Sequence, residues 1–416
     1  MTDKTMFINK KLTVSKEPPY DPLQSFVRDN HIALKGSLEG PLSKYVFSAK
    51  DVFKVKGSTW GNGHPDWLKN SDPDDFTAIA VEKLLDNGAD LVGKTVCDEL
   101  CYSISGENWN YGSPINPHDV RRYTGGSSSG ACAAVAGGLV DFSIGSDCLG
   151  SVRVPAAYNG LIGMRPSYKR VDNGGEAPYC ESMDVLGFVA TESEIFRNVG
   201  HVLLGDDEKD YTFNRILIAD DCFDAINSDV REALQPAIDT IVEAVGSDLE
   251  HISLTEHYEG GLAEWVKIFQ LVQGYEVWES YGGFVNKYKP NLSPGPKSRL
   301  EFASSITQTQ YRDSLEKMKE ISDIVMSKIP EDALLIIPTA SSVAPLRSAA
   351  QEEINEYRAQ SSQLLCVSPL SGVPQITLPL VKQHEVPLGI SILGSFGSDM
   401  AMVNFASDLM NDKLGV

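Results

Sequence analysis

A chain of 416 residues has room for two or three small domains or one large α/β enzyme domain. Its 42% hydrophobic and 22% charged residues belong to a folded protein with a sizeable core, and its formal net charge of -21 argues against nucleic acid or anionic lipid as a partner. The acid is dispersed, as solubility requires, with Asp72, Asp74 and Asp75 forming the densest early cluster.

Residues 1–40 are polar, carry Pro18, Pro19 and Pro22, and read as a loosely structured lead-in. Residues 45–49 (YVFSA) are a short apolar run ending in Lys50-Asp51, which predicts a buried strand with a lysine at its tip. Residues 76–85 have helical spacing, with Phe76, Ile79, Ala80, Lys83 and Leu84 near one face and Gly88 at the C-cap. A strand at 89–93 follows, so strand and helix alternate and an α/β sheet is expected. Residues 108–126 carry turn signals throughout.

Residues 131–140 (ACAAVAGGLV) predict a helix of small side chains that lets a neighbouring backbone approach closely. A short strand at 141–145 and a helix at 151–161, with Pro155 near its start, come next. Further on, 230–245 and 311–329 show amphipathic helical spacing, the first with Pro236 as a local distortion. Residues 333–337, 373–379 and 388–393 read as strands. No repeat, low-complexity tract or linker divides the chain, so residues 1–416 are taken as a single domain.

The seven cysteines, Cys97, Cys101, Cys132, Cys148, Cys180, Cys222 and Cys366, include no C-x-x-C pair. Neither a disulfide framework nor a zinc site is expected, and no other metal or cofactor motif is present. The N-terminus lacks a signal-peptide core and no stretch suits a membrane span. The expectation is a reduced, soluble, cytoplasmic protein with no membrane partner.

Chemistry concentrates in residues 124–155, TGGSSSGACAAVAGGLVDFSIGSDCLGSVRVP. Gly125-Gly126-Ser127-Ser128-Ser129-Gly130 opens onto a helix, and by itself is as well explained by a capped turn. A phosphate loop fails for want of Lys-Ser/Thr after the glycines, and a G-x-S-x-G elbow is absent around both Ser127 and Ser151. Ser151 follows a strand and precedes a helix, where backbone N–H groups from Cys148 to Ser151 can converge on an oxyanion. His118 and His201 are the nearest histidines, and neither has a triad-like setting. Lys50 is the alternative base, because desolvation favours a neutral amine. An equally weighted reading has Lys50 close a strand and pair with Asp51.

These residues resemble the amidase signature family, whose hallmark is GGSS-G followed at a fixed interval by G-[ST]-D-x-G-G-S-[IV]-R-x-P, with a lysine upstream in K-D-x-x-x-x-K-G. Ser127 and Ser151 stand 24 residues apart, as in the family, and SAKDVFKVKG at 48–57 matches the lysine segment. Asn116-Pro117, Gly163-Met164-Arg165-Pro166, SGVPQITLPL and PLGISILGSFGSD extend the resemblance over roughly residues 40–400. Segments GNGHPDWLKN, YSISGENWNYGSPINP and LVDFSIGSD look closest to plant indole-3-acetamide hydrolases.

The resemblance implies a large mixed central β-sheet covered by helices on both faces. It also implies a Ser151 nucleophile, Ser127 after a cis peptide bond as proton relay, and a neutral Lys50, with backbone groups of Cys148, Leu149 and Gly150 as oxyanion hole. No cofactor is implied. The partner is a small or aryl-alkyl carboxamide, and a homodimer is left open. Ser128 and Ser129 then cap or support the helix, while Asp147 and Arg153 tie the loop to the core. Residues 170–310, read as loop-rich, shape the substrate site, and Trp60, Trp67, Trp109, Tyr179, Tyr275 and Trp278 are aromatic candidates for its wall.

The sequence departs from the family at Leu149, where glycine is usual, at Cys148 for threonine or isoleucine, at Thr124 for proline and at Ser129 for glycine. If position 149 takes a positive φ, leucine there costs ~1–2 kcal/mol and distorts the hole. Otherwise it shapes the acyl pocket. Two further functions share the same residues: acyl transfer to an amine, and a non-catalytic amidotransferase-type subunit.

Overall fold

The computed structural model describes residues 20–414. Ten strands make one mixed sheet: β1 (Val46–Lys50), β2 (Asp90–Thr95), β3 (Phe142–Asp147), β4 (Ile162–Arg165), β5 (Val185–Ala190), β6 (Arg215–Ala219), β7 (Leu249–Ile252), β8 (Ala333–Pro338), β9 (Gln375–Gln383) and β10 (Val386–Leu393). Their order is β2-β1-β3-β5-β4-β9-β10-β8-β6-β7. The two ends are parallel (β2, β1 and β3; β8, β6 and β7) and the centre from β3 to β8 is antiparallel. Every residue of β3, β4, β5, β8 and β10 is buried, whichever way its side chain points, so helices cover both faces.

Near the β2 end lie α1 (Pro65–Lys69) and α2 (Ile79–Asp86). The central faces carry α3 (Ser129–Ala136), α4 (Arg153–Tyr158) and α5 (Ser193–Leu204). Two helices, α6 (Asp220–Asp224) and α7 (Ser228–Val245), follow β6. The largest helical layer comprises α8 (Gly261–Tyr288), α9 (Pro294–Ser305), α10 (Gln308–Lys328), α11 (Gln351–Leu365) and α12 (Val367–Ser371), and α13 (Asp399–Leu414) packs on α5.

The small-residue helix is central, as its composition predicts, and spans Ser129–Ala136. A Cβ built on Gly130 would lie 2.2 Å from the Ser25 carbonyl oxygen and 2.7 Å from Val96 N, so no side chain fits there. This close approach sets the start of α3 against the end of β2.

Three sequence readings change: the start of α2, the loop content of residues 170–310 and the looseness of the lead-in. Helix α2 begins at Ile79 and leaves Phe76 outside; its buried positions are Ala80, Val81 and Leu84. The predicted amphipathic helix spans Ser228–Val245 with Pro236 inside it. Residues 170–310 are not loop-rich, because α8 alone takes 28 of them. Its buried residues change face along its length, with Leu262, Trp265, Ile268, Phe269 and Val272 on one side and Val277 and Tyr281 on another, so no single stripe runs the whole helix. Of the lead-in, residues 1–19 lie outside the described residues. Residues 20–40 form no helix or strand, yet Phe26 and Leu34 bridge to Thr95 and Leu91 along β2. Among the described residues no helix is long and apolar enough to cross a membrane.

Candidate active site

Parallel pairing on both sides of β1 aims its last residue. Lys50 is paired with Thr95 on one side, while Ala49 opposite Ile144 brings Lys50 alongside the end of β3 on the other. The side chain is fully buried, and Nζ donates to Ser127 Oγ at 2.7 Å and to Ser146 Oγ at 2.8 Å. Lys50 does not pair with Asp51. That carboxylate faces Lys94 at 3.5 Å and accepts from Asn30 Nδ2 and Gly61 N.

Ser127 follows Gly125, with φ of 71°, and the Gly126–Ser127 peptide bond is cis. Ser128 N donates to the Ser151 carbonyl at 3.0 Å, joining the two serine segments that the sequence holds 24 residues apart. Ser127 is 1% exposed and Ser151 6%, so among Lys50, Ser127 and Ser151 the last is the one that reaches solvent most. Ser128 occupies the N-cap of α3 without a side-chain cap bond. The Ser129 hydroxyl turns to the Val96 carbonyl. His118 is spent on the Asn159 carbonyl, 3.0 Å from its Nε2.

The turn from Asp147 to Arg153 is wound around one carboxylate. Asp147 accepts from the backbone N–H groups of Gly150 (2.8 Å), Val152 (3.0 Å) and Arg153 (3.2 Å), and from the Arg153 guanidinium at Nη2 (2.8 Å). Arg165 adds a second cation at 3.5 Å and donates to the Asp147 carbonyl. Burial alone would raise the carboxyl of Asp147, but the Arg153 and Arg165 guanidiniums hold it well below the usual carboxylate range. Arg153 in turn reaches Gln375 Oε1 and the Leu365 carbonyl, anchoring the turn to β9 and α11.

Two consequences follow for the loop from Cys148 to Ser151. Because Gly150 N–H donates to Asp147, the N–H groups left without an acceptor among the described residues are those of Cys148, Leu149 and Ser151. The left-handed backbone falls on Gly150, with φ of 95°, and not on Leu149. Leucine therefore carries no conformational penalty there, and its side chain is buried.

Acidic groups surround Lys50. Burial is the largest influence and lowers its pKa; negative charge on Cys101, Cys97, Asp184 and Glu176 more than offsets this and lifts the lysine above its ordinary value. A neutral lysine, expected from burial alone, is opposed by these neighbours. Three of these neighbours are themselves pushed toward their protonated forms, while for Cys101 burial is outweighed by the Cys97 hydrogen bond and the Lys50 charge, which lower its thiol. Burial takes Glu176 well above the carboxylate range and Asp184 up to about 7, while a Cys101 hydrogen bond and burial raise Cys97. Protons on Asp184, Glu176 and Cys97 remove three of the four charges that lift Lys50, and leave desolvation, which favours the amine, opposed by Cys101.

Beside the Gly125–Gly126 turn lies a cavity of about 570 Å³. Its wall includes Ile104, whose carbonyl accepts from Gly126 N, and Tyr158, whose ring packs against Gly125. Of the six aromatic candidates, Trp109 lines this cavity. Tyr179 lies near Cys148, both 3.4 Å from Gln273 Nε2. Trp60 and a partly buried Trp67 pack against each other with their rings tilted by 44°, Tyr275 stacks on Tyr311, and Trp278 faces a separate pocket. Sequence reasoning missed Ser146, Asp184, Glu176 and Gln273. Only Ser146 carried a signal, its place in the GSD segment that ends the strand before Ser151.

Sequence comparison places this arrangement in a known class. The Amidase family profile matches residues 24–267. Amidase 1 of Arabidopsis thaliana is 32% identical over 395 residues, covering 88% of this chain and 93% of that protein. Translocon at the outer membrane of chloroplasts 64 of Pisum sativum is 31% identical over 389 residues, and here the chain spans only 65% of its relative's length. A crystal structure of an amidase superposes with a TM-score of 0.80 at 25% identity, covering 90% of this chain and 86% of that one. Fold and sequence together define an amidase-type α/β protein. The chain belongs to the amidase family.

Proposed function

We propose that this chain is an amide hydrolase that works through an acyl-enzyme on Ser151. The observation that carries the reading is the 2.7 Å hydrogen bond from fully buried Lys50 Nζ to Ser127 Oγ, beside the segment bearing Ser151. Ser151 Oγ attacks the amide carbonyl while its proton passes to Ser127 Oγ and the Ser127 proton passes to the Lys50 amine. The relay then runs backward, delivering a proton to the leaving amine as the C–N bond breaks. Water deacylates the enzyme by the same route.

Lys50 must begin as the amine, a state favoured when Asp184 and Glu176 are protonated. The developing oxyanion is met by the N–H groups of Cys148, Leu149 and Ser151, while Gly150 supplies the turn. Substrates are small or aryl-alkyl carboxamides, and residues 170–310 contribute to selection through Tyr179, Gln273 and α9. The chain acts as one domain, and its seven free cysteines suit the reducing cytoplasm.

Labelling with a serine-directed phosphonate tests the reading. Modification of Ser151 in the folded protein, with loss of amide hydrolysis of at least 10³-fold in Ser151→Ala, is expected. Undiminished hydrolysis by that variant overturns it.

A further inference from the structure

The cavity beside Gly125–Gly126 is unusual in its charge. Two arginines line it, Arg299 on α9 and Arg358 on α11, both half-buried. Neither makes an ion pair among the described residues. Arg299 Nε donates to the Tyr102 carbonyl at 2.6 Å and its guanidinium lies 5.6 Å from the centre of the Tyr102 ring. The cavity's single acidic lining residue, Glu107, accepts from Tyr123 OH at 2.9 Å. In a chain with 57 acidic and 36 basic side chains, nearly every cation could have found a surface partner.

Two like charges without a counter-ion destabilise each other. Desolvation and the neighbouring Arg358 pull Arg299 down to about 9, and desolvation lowers Arg358 as well. Both guanidiniums remain charged at neutral pH. The neighbouring Tyr102 and Tyr179 stay neutral near pH 7, and Asp98, raised to about 6, offers both arginines a distant negative charge but forms no ion pair with either among the described residues. Such a pair is held in place by the fold and is completed by an anion.

The cavity adjoins the proposed site through neighbours the two share. Ile104 and Tyr158 join it to the Gly125–Gly126 turn before Ser127. Helix α11 links its other end: Leu365, whose side chain abuts Gly150, stands seven residues after Arg358, about 10 Å along the helix. An amide held at Ser151 would thus have this cavity beside it, with the two guanidiniums in its wall.

Building on the hydrolase reading, we infer that the substrate is an amide carrying a carboxylate, which Arg299 and Arg358 bind in the cavity next to the scissile bond. A carboxylate matches the planar guanidinium in a bidentate manner, which a neutral aryl group cannot do. The arginines are binding residues and take no part in proton transfer.

The test measures binding without turnover. The Ser151→Ala protein is titrated calorimetrically with succinamate, glutaramate, adipamate and N-acetylglycine, each against its neutral counterpart in which methyl or carboxamide replaces the carboxylate. At least one carboxylate is expected to bind ten-fold or more tighter than its neutral partner, with a preference that weakens in high salt. Arg358→Gln and Arg299→Gln, checked for native circular dichroism, each erase most of that preference. Equal binding of every anionic and neutral pair overturns the inference, as does a preference that survives in both folded arginine variants. Should the variants not fold, the paired comparison in Ser151→Ala alone decides. Failure of the hydrolase reading would appear separately, as unlabelled Ser151 in the intact protein.

Discussion

At the scale of single residues, protonation is shared across a cluster. Lys50 is opposed by its own desolvation and supported by charge on Cys101, Cys97, Asp184 and Glu176, so its state follows theirs. Asp184 has Oδ1 without a partner among the described residues, and burial takes it to about 7. A carboxyl raised in the folded state keeps a proton that the unfolded chain has released, so it makes stability fall as pH rises from about 4 to about 7. In Asp184→Asn that fall is absent: melting temperatures across this window should show the variant gaining on wild type as pH rises. Parallel curves would remove Asp184 from the cluster. Leu149→Gly is expected to change the order of preferred amides by several-fold in kcat/KM, because Gly150 already holds the positive φ. A uniform rate increase across all amides would point to a distorted oxyanion loop.

At the scale of elements, the Asp147 turn holds the candidate nucleophile in place. One carboxylate gathers three backbone N–H groups and two guanidiniums, and Arg153 ties the assembly to β9 and α11. Asp147→Asn leaves two buried cations facing a neutral amide. A loss of ~3–5 kcal/mol is expected, measurable by urea denaturation. The low pKa gives the sign at the acid end: this stabilisation is complete above the unfolded carboxyl's pKa near 4 and is lost as pH falls through the depressed folded value. Most of these elements were readable. Strands β1, β3 and β8 declare themselves as short apolar runs, and α3 through its small residues. Helix α8 was hidden because its buried residues change face along its length, and the start of α2 was misjudged because Phe76 is apolar yet 42% exposed.

At the scale of the whole molecule, ten strands share one sheet, and the site draws Lys50 from one strand, Ser127 from the loop before α3 and Ser151 from the turn before α4. A chain acting as one domain should unfold in one calorimetric transition whose van't Hoff and calorimetric enthalpies agree. Two resolved transitions would separate the β6–β8 end with its helices from the motif-bearing half. The net charge of -21 sets a repulsive background for anions, against which the Arg299–Arg358 pair is a local exception.

Local order was the part the sequence could determine. The strand that delivers Lys50, the glycine turn before Ser127 and the strand–turn–helix around Ser151 each depend on neighbours within about ten residues. Motif spacing was enough to bring the three together in expectation. The tertiary structure alone decided the rest, because it depends on contacts between distant segments. Asp51 turned to Lys94, Gly150 N–H was taken by Asp147, and acids from 97–101 and 176–184 converged on one lysine. Arg299 and Arg358 lie 59 positions apart in the chain, and no periodicity or motif links them. Only the packing of α9 and α11 around one cavity sets their charges side by side.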